Sequence, residues 1–193
     1  MSLPINFQWL NTIGVLPKMV AEGIKLLGIK EIPGAANNPK ILEFAREIGV
    51  SAIYKNDDIS WCALAHNAVA KRAGKAIYGY SDQWDLLRAL KFLMNGVSIN
   101  KDDWEVIDLD KAVLGDSLIF QRPEGGHIGT YIGENATHFY VMGGNQSNMY
   151  SFTRVAKTRL VGVRRPKYKI ARPESAVKYF LNDTGIPVTS NEA

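Results

Sequence analysis

Cysteine occurs once in these 193 residues and histidine three times. No stretch approaches the roughly 18 uninterrupted apolar residues of a membrane span. A single thiol excludes an intramolecular disulfide and a multi-cysteine zinc site. The His, Asp and Glu residues do not gather at ligand spacing, so neither a metal nor another cofactor is expected. The opening Met1-Ser2-Leu3-Pro4-Ile5-Asn6-Phe7 lacks the basic and apolar regions of a signal peptide, which predicts a chain made in the cytoplasm with no membrane insertion. There is no internal repeat, low-complexity tract, zinc-finger spacing or RNA-recognition signature.

With 46% hydrophobic residues, the chain can bury one core and is short for two full domains. The net charge is +4, and its excess is uneven: positions 157, 159, 164, 165, 167, 169 and 172 are Lys or Arg, with no acid between 157 and 172. Such a run suits a polyanion, either nucleic acid or an anionic cell wall. The plainer expectation is a strand with a solvated basic face. Nucleic acid is not the favoured partner.

The first half reads as helices and the second as strands, an α+β order with segregated layers. Leu16-Pro17 opens an apolar pattern that stops at Gly28, and Asn38 caps Pro39 to Ile48, which Gly49 ends. Ser60 is the expected cap of a third helix, Trp61 to Ala73, with Cys62 in its first turn. Ser81 is the expected cap of a fourth, Asp82 to Met94, ending near Gly96. Short strands follow around 118–120, 128–133, 139–142, 149–152 and 160–163, spaced as an antiparallel meander, and a last helix is predicted over 174–181.

A lone thiol at a helix start is a candidate nucleophile, because partial positive charge and unpaired N–H groups there stabilise a thiolate. Free cysteine is also commonly buried in cores, so Cys62 alone does not decide. His127, at a strand start between glycines, can form a thiolate and imidazolium pair with it if helix and sheet pack face to face. Asn145, after Gly143-Gly144, can accept the far ring N–H and fix the tautomer, with Gln146 as the alternative. His66, one turn beyond Cys62, is a rival base, and His138 reads as a surface strand residue. Tyr54, Asp58 and Trp61 precede the thiol and are candidate substrate-binding residues together with Gln146. Asp58 reads equally as a helix N-terminal charge, and Trp61 and Trp84 as core or cleft wall.

Gly28-Ile29-Lys30-Glu31-Ile32-Pro33-Gly34, Asn38-Pro39, Asp58-x-x-Trp61-Cys62-Ala63, Gly115-Asp116-Ser117, His127-Ile128-Gly129, Gly143-Gly144-Asn145-Gln146-Ser147 and Gly162-x-Arg164-x-Pro166 occur in this order. Together they resemble a phage-type family of cysteine peptidoglycan hydrolases, akin to NlpC and CHAP domains of the papain-like superfamily. The resemblance implies a papain-like catalytic domain over residues 16–166, with an N-terminal extension over 1–15 and a C-terminal one over 167–193. It implies the Cys-bearing helix packed on the antiparallel sheet, with Cys62 as nucleophile, His127 as base and Asn145 as third polar residue. It further implies peptidoglycan as substrate, cut in its stem or cross-linking peptide by a monomer that needs no cofactor. Such an enzyme acts in the periplasm or wall after delivery by a holin, a virion or a secretion machine, with delivery machinery or an immunity protein as further partners. Other readings keep the residues and change the role: a protease or deamidase on a protein substrate, a binding module with a buried Cys62, or a basic nucleic-acid binder.

Overall fold

The computed structural model describes residues 3–34, 36–77, 82–94 and 103–183. Six strands form one antiparallel sheet: β1 (Trp104–Ile107), β2 (Ser117–Arg122), β3 (Gly125–Glu134), β4 (His138–Gly143), β5 (Ser151–Ala156) and β6 (Leu160–Pro166). Their order is β1-β6-β2-β3-β4-β5. The run β2 to β5 is the expected meander. β6 then returns to the open side of β2 and carries β1 at its edge. Strand β1 is absent from the sequence reading, since four residues with a single buried one are too few to show alternation.

Among the described residues, three α-helices precede the sheet: α1 (Lys18–Ile24), α2 (Pro39–Ile48) and α3 (Cys62–Arg72). Helix α2 follows its signals closely. The Asn38 side chain accepts the Lys40 N–H at 2.9 Å, and Gly49 ends the helix at φ +82°. Helix α3 is buried from Cys62 to Ala70, as a helix without a polar face must be. It packs on β3 and β4, and its alanines keep it thin. Gly144 completes the fit: a Cβ there would lie 2.7 Å from Trp61 Cε3 and 2.8 Å from Ala65 Cβ. Ser60 is not the cap of α3; Trp61 holds that position and makes no side-chain cap bond.

The fourth helix is replaced by two 3₁₀ turns, Gln83–Leu87 and Ala89–Leu93, with Arg88 extended between them at φ −112° and ψ 108°. Tertiary contacts override the helical pattern. The Leu86 carbonyl, which an α-helix would bond internally, takes the Asn67 Nδ2–H at 3.1 Å, and Leu90 packs where Gly126 has no side chain. Asp82 caps the first turn by accepting the Asp85 N–H at 3.1 Å. Ser81 and Gly96 lie outside the described residues.

The helix expected over 174–181 is also absent. Phe180 makes a parallel bridge to Glu134, whose N–H donates to Tyr179 O and whose carbonyl accepts from Leu181 N–H, both at 2.8 Å. β2 stops at Ser117 opposite Thr130, so the end of β3 keeps free backbone groups that the tail satisfies. At the other end, Phe7 stacks on Phe152 with ring centroids 3.9 Å apart, and Trp9 meets Tyr179.

The basic run is a solvated face only in part: Lys167, Lys169 and Arg172 are exposed, whereas Arg164 and Arg165 turn inward. Arg164 is buried and donates to Val163 O and Leu93 O. Arg165 grips the buried Asp116 through Nε at 2.8 Å and Nη2 at 2.7 Å. Neutralising internal partners uses charge that would otherwise face a polyanion. Among the described residues, no helix is long and apolar enough to cross a membrane, and no group of three or more His, Cys, Asp or Glu could hold a metal ion.

The close approach at Gly144 sets a test of packing. Gly144→Ala should destabilise the fold by about 1–3 kcal/mol through overpacking against Trp61 and Ala65, read as a lower urea midpoint at unchanged m-value.

Candidate active site

Cys62 opens α3, whose first turn contains no acid, and it borders a cleft of about 700 Å³. Ser60 stands beside it; Arg88 and Leu90 line one wall, and Arg122, Glu124, Gly125 and Gly126, around the β2–β3 turn, line the other. Glycine at 126 makes room for Leu90, since a Cβ would sit 2.7 Å from two Leu90 carbons.

The next residue, His127, is wholly buried and stacks on Phe120 with ring centroids 6.3 Å apart. Its Nε2 lies 3.2 Å from Gln146 Oε1. The orientation of that amide is fixed, because Gln146 Nε2 donates to Gly143 O at 3.2 Å and to Ser151 O at 2.6 Å. The oxygen must therefore face the ring, and the ring nitrogen facing it must carry the proton. Nδ1 is left with the lone pair and has no hydrogen-bond partner among the described residues. Burial lowers the His127 pKa to about 3; the Gln146 bond opposes this, and the charges of Arg122, Arg159 and His66 add to it. The imidazole is thus neutral at ordinary pH, with Nδ1 unprotonated.

Asn145 adopts the left-handed conformation at φ 58°, is buried, and donates its Nδ2–H to Ser60 Oγ at 3.4 Å. Gln146, the alternative, is the residue on His127, and its burial keeps it from serving as open substrate surface. Trp61 and Tyr54 are likewise interior. The indole Nε1 donates to Glu31 Oε1 at 2.7 Å, and the Tyr54 hydroxyl donates to Ile59 O at 3.0 Å, bracing the loop before the thiol. Asp58 is exposed and is not among the described residues that line the cleft. Trp84 is 47% exposed instead of core. His66 is buried with Nε2 2.7 Å from Ser117 Oγ, a structural partner on the sheet. His138 is half-buried and bonded to Thr137.

Two acids escaped the sequence reading. Asp57 Oδ2 accepts the N–H groups of Ile32 at 3.1 Å and Asn38 at 2.7 Å, tying the approach to α2 to the approach to α3. Glu31 holds Trp61 with its carboxylate, while its own N–H donates to Asn148 O at 3.0 Å. Burial raises the Glu31 pKa, against the lowering effect of the Trp61 bond. The turn that carries Cys62 and the loop that follows β4 are therefore held by the same short segment. The cations of the cleft wall were missed as well, because Arg88 and Lys91 sit in what reads as the polar face of a helix.

Burial also lowers the His66 pKa to about 3. An unfolded histidine binds a proton below about pH 6.5, whereas the folded one resists until about 3. Acid therefore favours the unfolded chain across that window. His66→Gln should reduce the loss of stability on acidification by about 1.4 kcal/mol per pH unit between roughly pH 6 and 4, measured by urea unfolding at several pH values.

No protein-family model matches this chain, and no curated protein does. Among solved structures, it is similar to a wild type endolysin, LysIME-EF1, at 15% identity and a TM-score of 0.47. The similarity covers 78% of this chain and 63% of that one, so this chain spans less than two thirds of that endolysin's length.

Proposed function

We propose that the protein is a thiol hydrolase that cuts an amide bond in the stem or cross-linking peptide of peptidoglycan, with Cys62 as nucleophile, His127 as base and acid, and Gln146 as the residue that orients the imidazole. The observation that carries this reading is the Gln146 clamp. By accepting from Nε2–H it fixes the tautomer that leaves the lone pair on the buried Nδ1 of a residue adjoining the Cys62 cleft. The ordered motifs that resemble cysteine peptidoglycan hydrolases supply the substrate class. Asn145 is assigned to the loop's shape and to Ser60 in place of the ring.

In the reaction, His127 Nδ1 takes the Cys62 Sγ proton as the thiolate attacks the amide carbonyl. Resting hydrogen bonds of this kind commonly close only when substrate binds. The oxyanion forms at the head of α3, where the Cys62 N–H and the helix dipole favour negative charge. The C–N bond then breaks, the imidazolium hands its proton to the leaving amine, and a thioester remains. Water, deprotonated by Nδ1, cleaves the thioester to a carboxylate and restores the thiol. Gln146 accepts from Nε2–H throughout, so it stabilises the ring most when the ring is charged.

Purified peptidoglycan incubated with wild-type protein should release soluble fragments whose masses name the bond, and Cys62→Ala and His127→Ala should release none. Gln146→Ala should lower the rate by about 10- to 100-fold, the worth of one hydrogen bond to a charged ring. Asn145→Ala should lower it less. Release by the Cys62 or His127 variant would end the proposal, and a larger loss for Asn145→Ala would return the orienting role to that residue.

A further inference from the structure

We infer that the cleft beside Cys62 selects substrate peptides that carry a free carboxylate, held between Arg88 and Lys91 on one wall and Arg122 on the other. This rests on the thiol-hydrolase reading and narrows its substrate class. Arg88, Lys91 and Arg122 line the cleft, and Glu124 is the only acid that lines it among the described residues. Asp85 lies buried beneath the first wall, 3.1 Å from Lys91 Nζ and 3.7 Å from Arg88 Nη1. One carboxylate thus anchors two cations. The Arg88 contact is loose and its side chain is 59% exposed, which leaves the guanidinium able to take a second, bidentate carboxylate.

The field extends past the cleft. Arg122 and Glu124 also border a neighbouring hollow of about 430 Å³ that Arg159 completes. Arg122 and Arg159 both act on the buried His127 ring, so their charge reaches the catalytic region. On the first wall the cations alternate with apolar side chains, from Leu87, Ala89, Leu90 and Met94. Aliphatic surface flanked by cations fits a short peptide with small side chains and an ionised carboxyl group. An amidated peptide would leave the cations without that partner, and a site built to pair a group discriminates strongly against its absence.

Two measurements test this. The first compares kcat/KM on peptidoglycan stem peptides that differ only in a free or an amidated carboxyl group, for wild type, Arg88→Gln and Lys91→Gln. Wild type should prefer the free carboxylate by about tenfold or more, the strength of one charge-assisted bond, and each variant should shrink that ratio. Equal turnover of both peptides by wild type, or equal loss on both in the variants, overturns the inference.

The second uses the rate of Cys62 alkylation by iodoacetate relative to iodoacetamide, which requires a reactive thiol but no peptidoglycan. The ratio should fall several-fold in each variant, and in wild type at about 1 M salt, where exposed charges are screened. An unchanged ratio overturns the inference, and the iodoacetamide rate alone controls for intact folding. If neither peptide is cleaved while the iodoacetate preference persists, the hydrolase reading has failed and the cationic cleft has not.

Discussion

A helix enclosed on every side must be narrow, and α3 meets that demand with alanine at positions 63, 65, 68 and 70. Most of the molecule's arrangement follows from it. The sheet can lie close beneath, the Gly143–Gln146 loop can press against Trp61 and Ala65, and the helix start is brought to the rim of the sheet. Bulkier side chains on α3 would hold the thiol and the glutamine loop apart. The polar residues that the helix does carry are spent on neighbours: His66 on Ser117, and Asn67 on Leu86 O. Burial without those partners would cost each group its hydration.

Around that helix, three loops share one frame. The segment 28–31 bonds to the backbone of Asn148 and Tyr150, Glu31 reaches Trp61, and Asp57 reaches back to Ile32 and Asn38. Backbone in the left-handed region at Asn145, Ser147 and Asn148, with φ between 52° and 59°, lets the loop turn tightly enough to drop Gln146 onto the imidazole. Asn adopts that region more readily than most residues, because its side chain can bond locally. Each contact is modest; their closure into a ring is what fixes the amide that fixes the histidine.

The sequence is most informative where local chemistry decides. Asn38, Pro39 and Gly49 delimit α2 unaided, and the strand runs separated by turn residues yield the meander. It misleads where distant atoms intervene. The Arg88 break depends on Asn67 and Gly126, the extended tail depends on free backbone at Glu134, and the inward turn of Arg164 and Arg165 depends on Leu93 and Asp116. At the candidate site, the sequence marks His127 and the Gly-Gly-Asn-Gln turn that supplies its partner, and it marks Cys62 at the cleft beside Gly126. Which of two adjacent amides faces the ring is a matter of one residue's φ angle, and composition does not carry it.

The order of the strands has a consequence for assembly. Among the described residues, β1 pairs only with β6, the last of the six strands, and α3 leaves the synthetic machinery before every strand on which it rests. Contacts of such long sequence separation must close large loops before they return any stabilisation, so folding is slow relative to a chain of local contacts. During that interval an apolar helix with a thiol at its head has no sheet to cover it. The nascent chain is then more dependent on protected folding than the finished protein, whose completion awaits the return of β6 and the tail to the sheet.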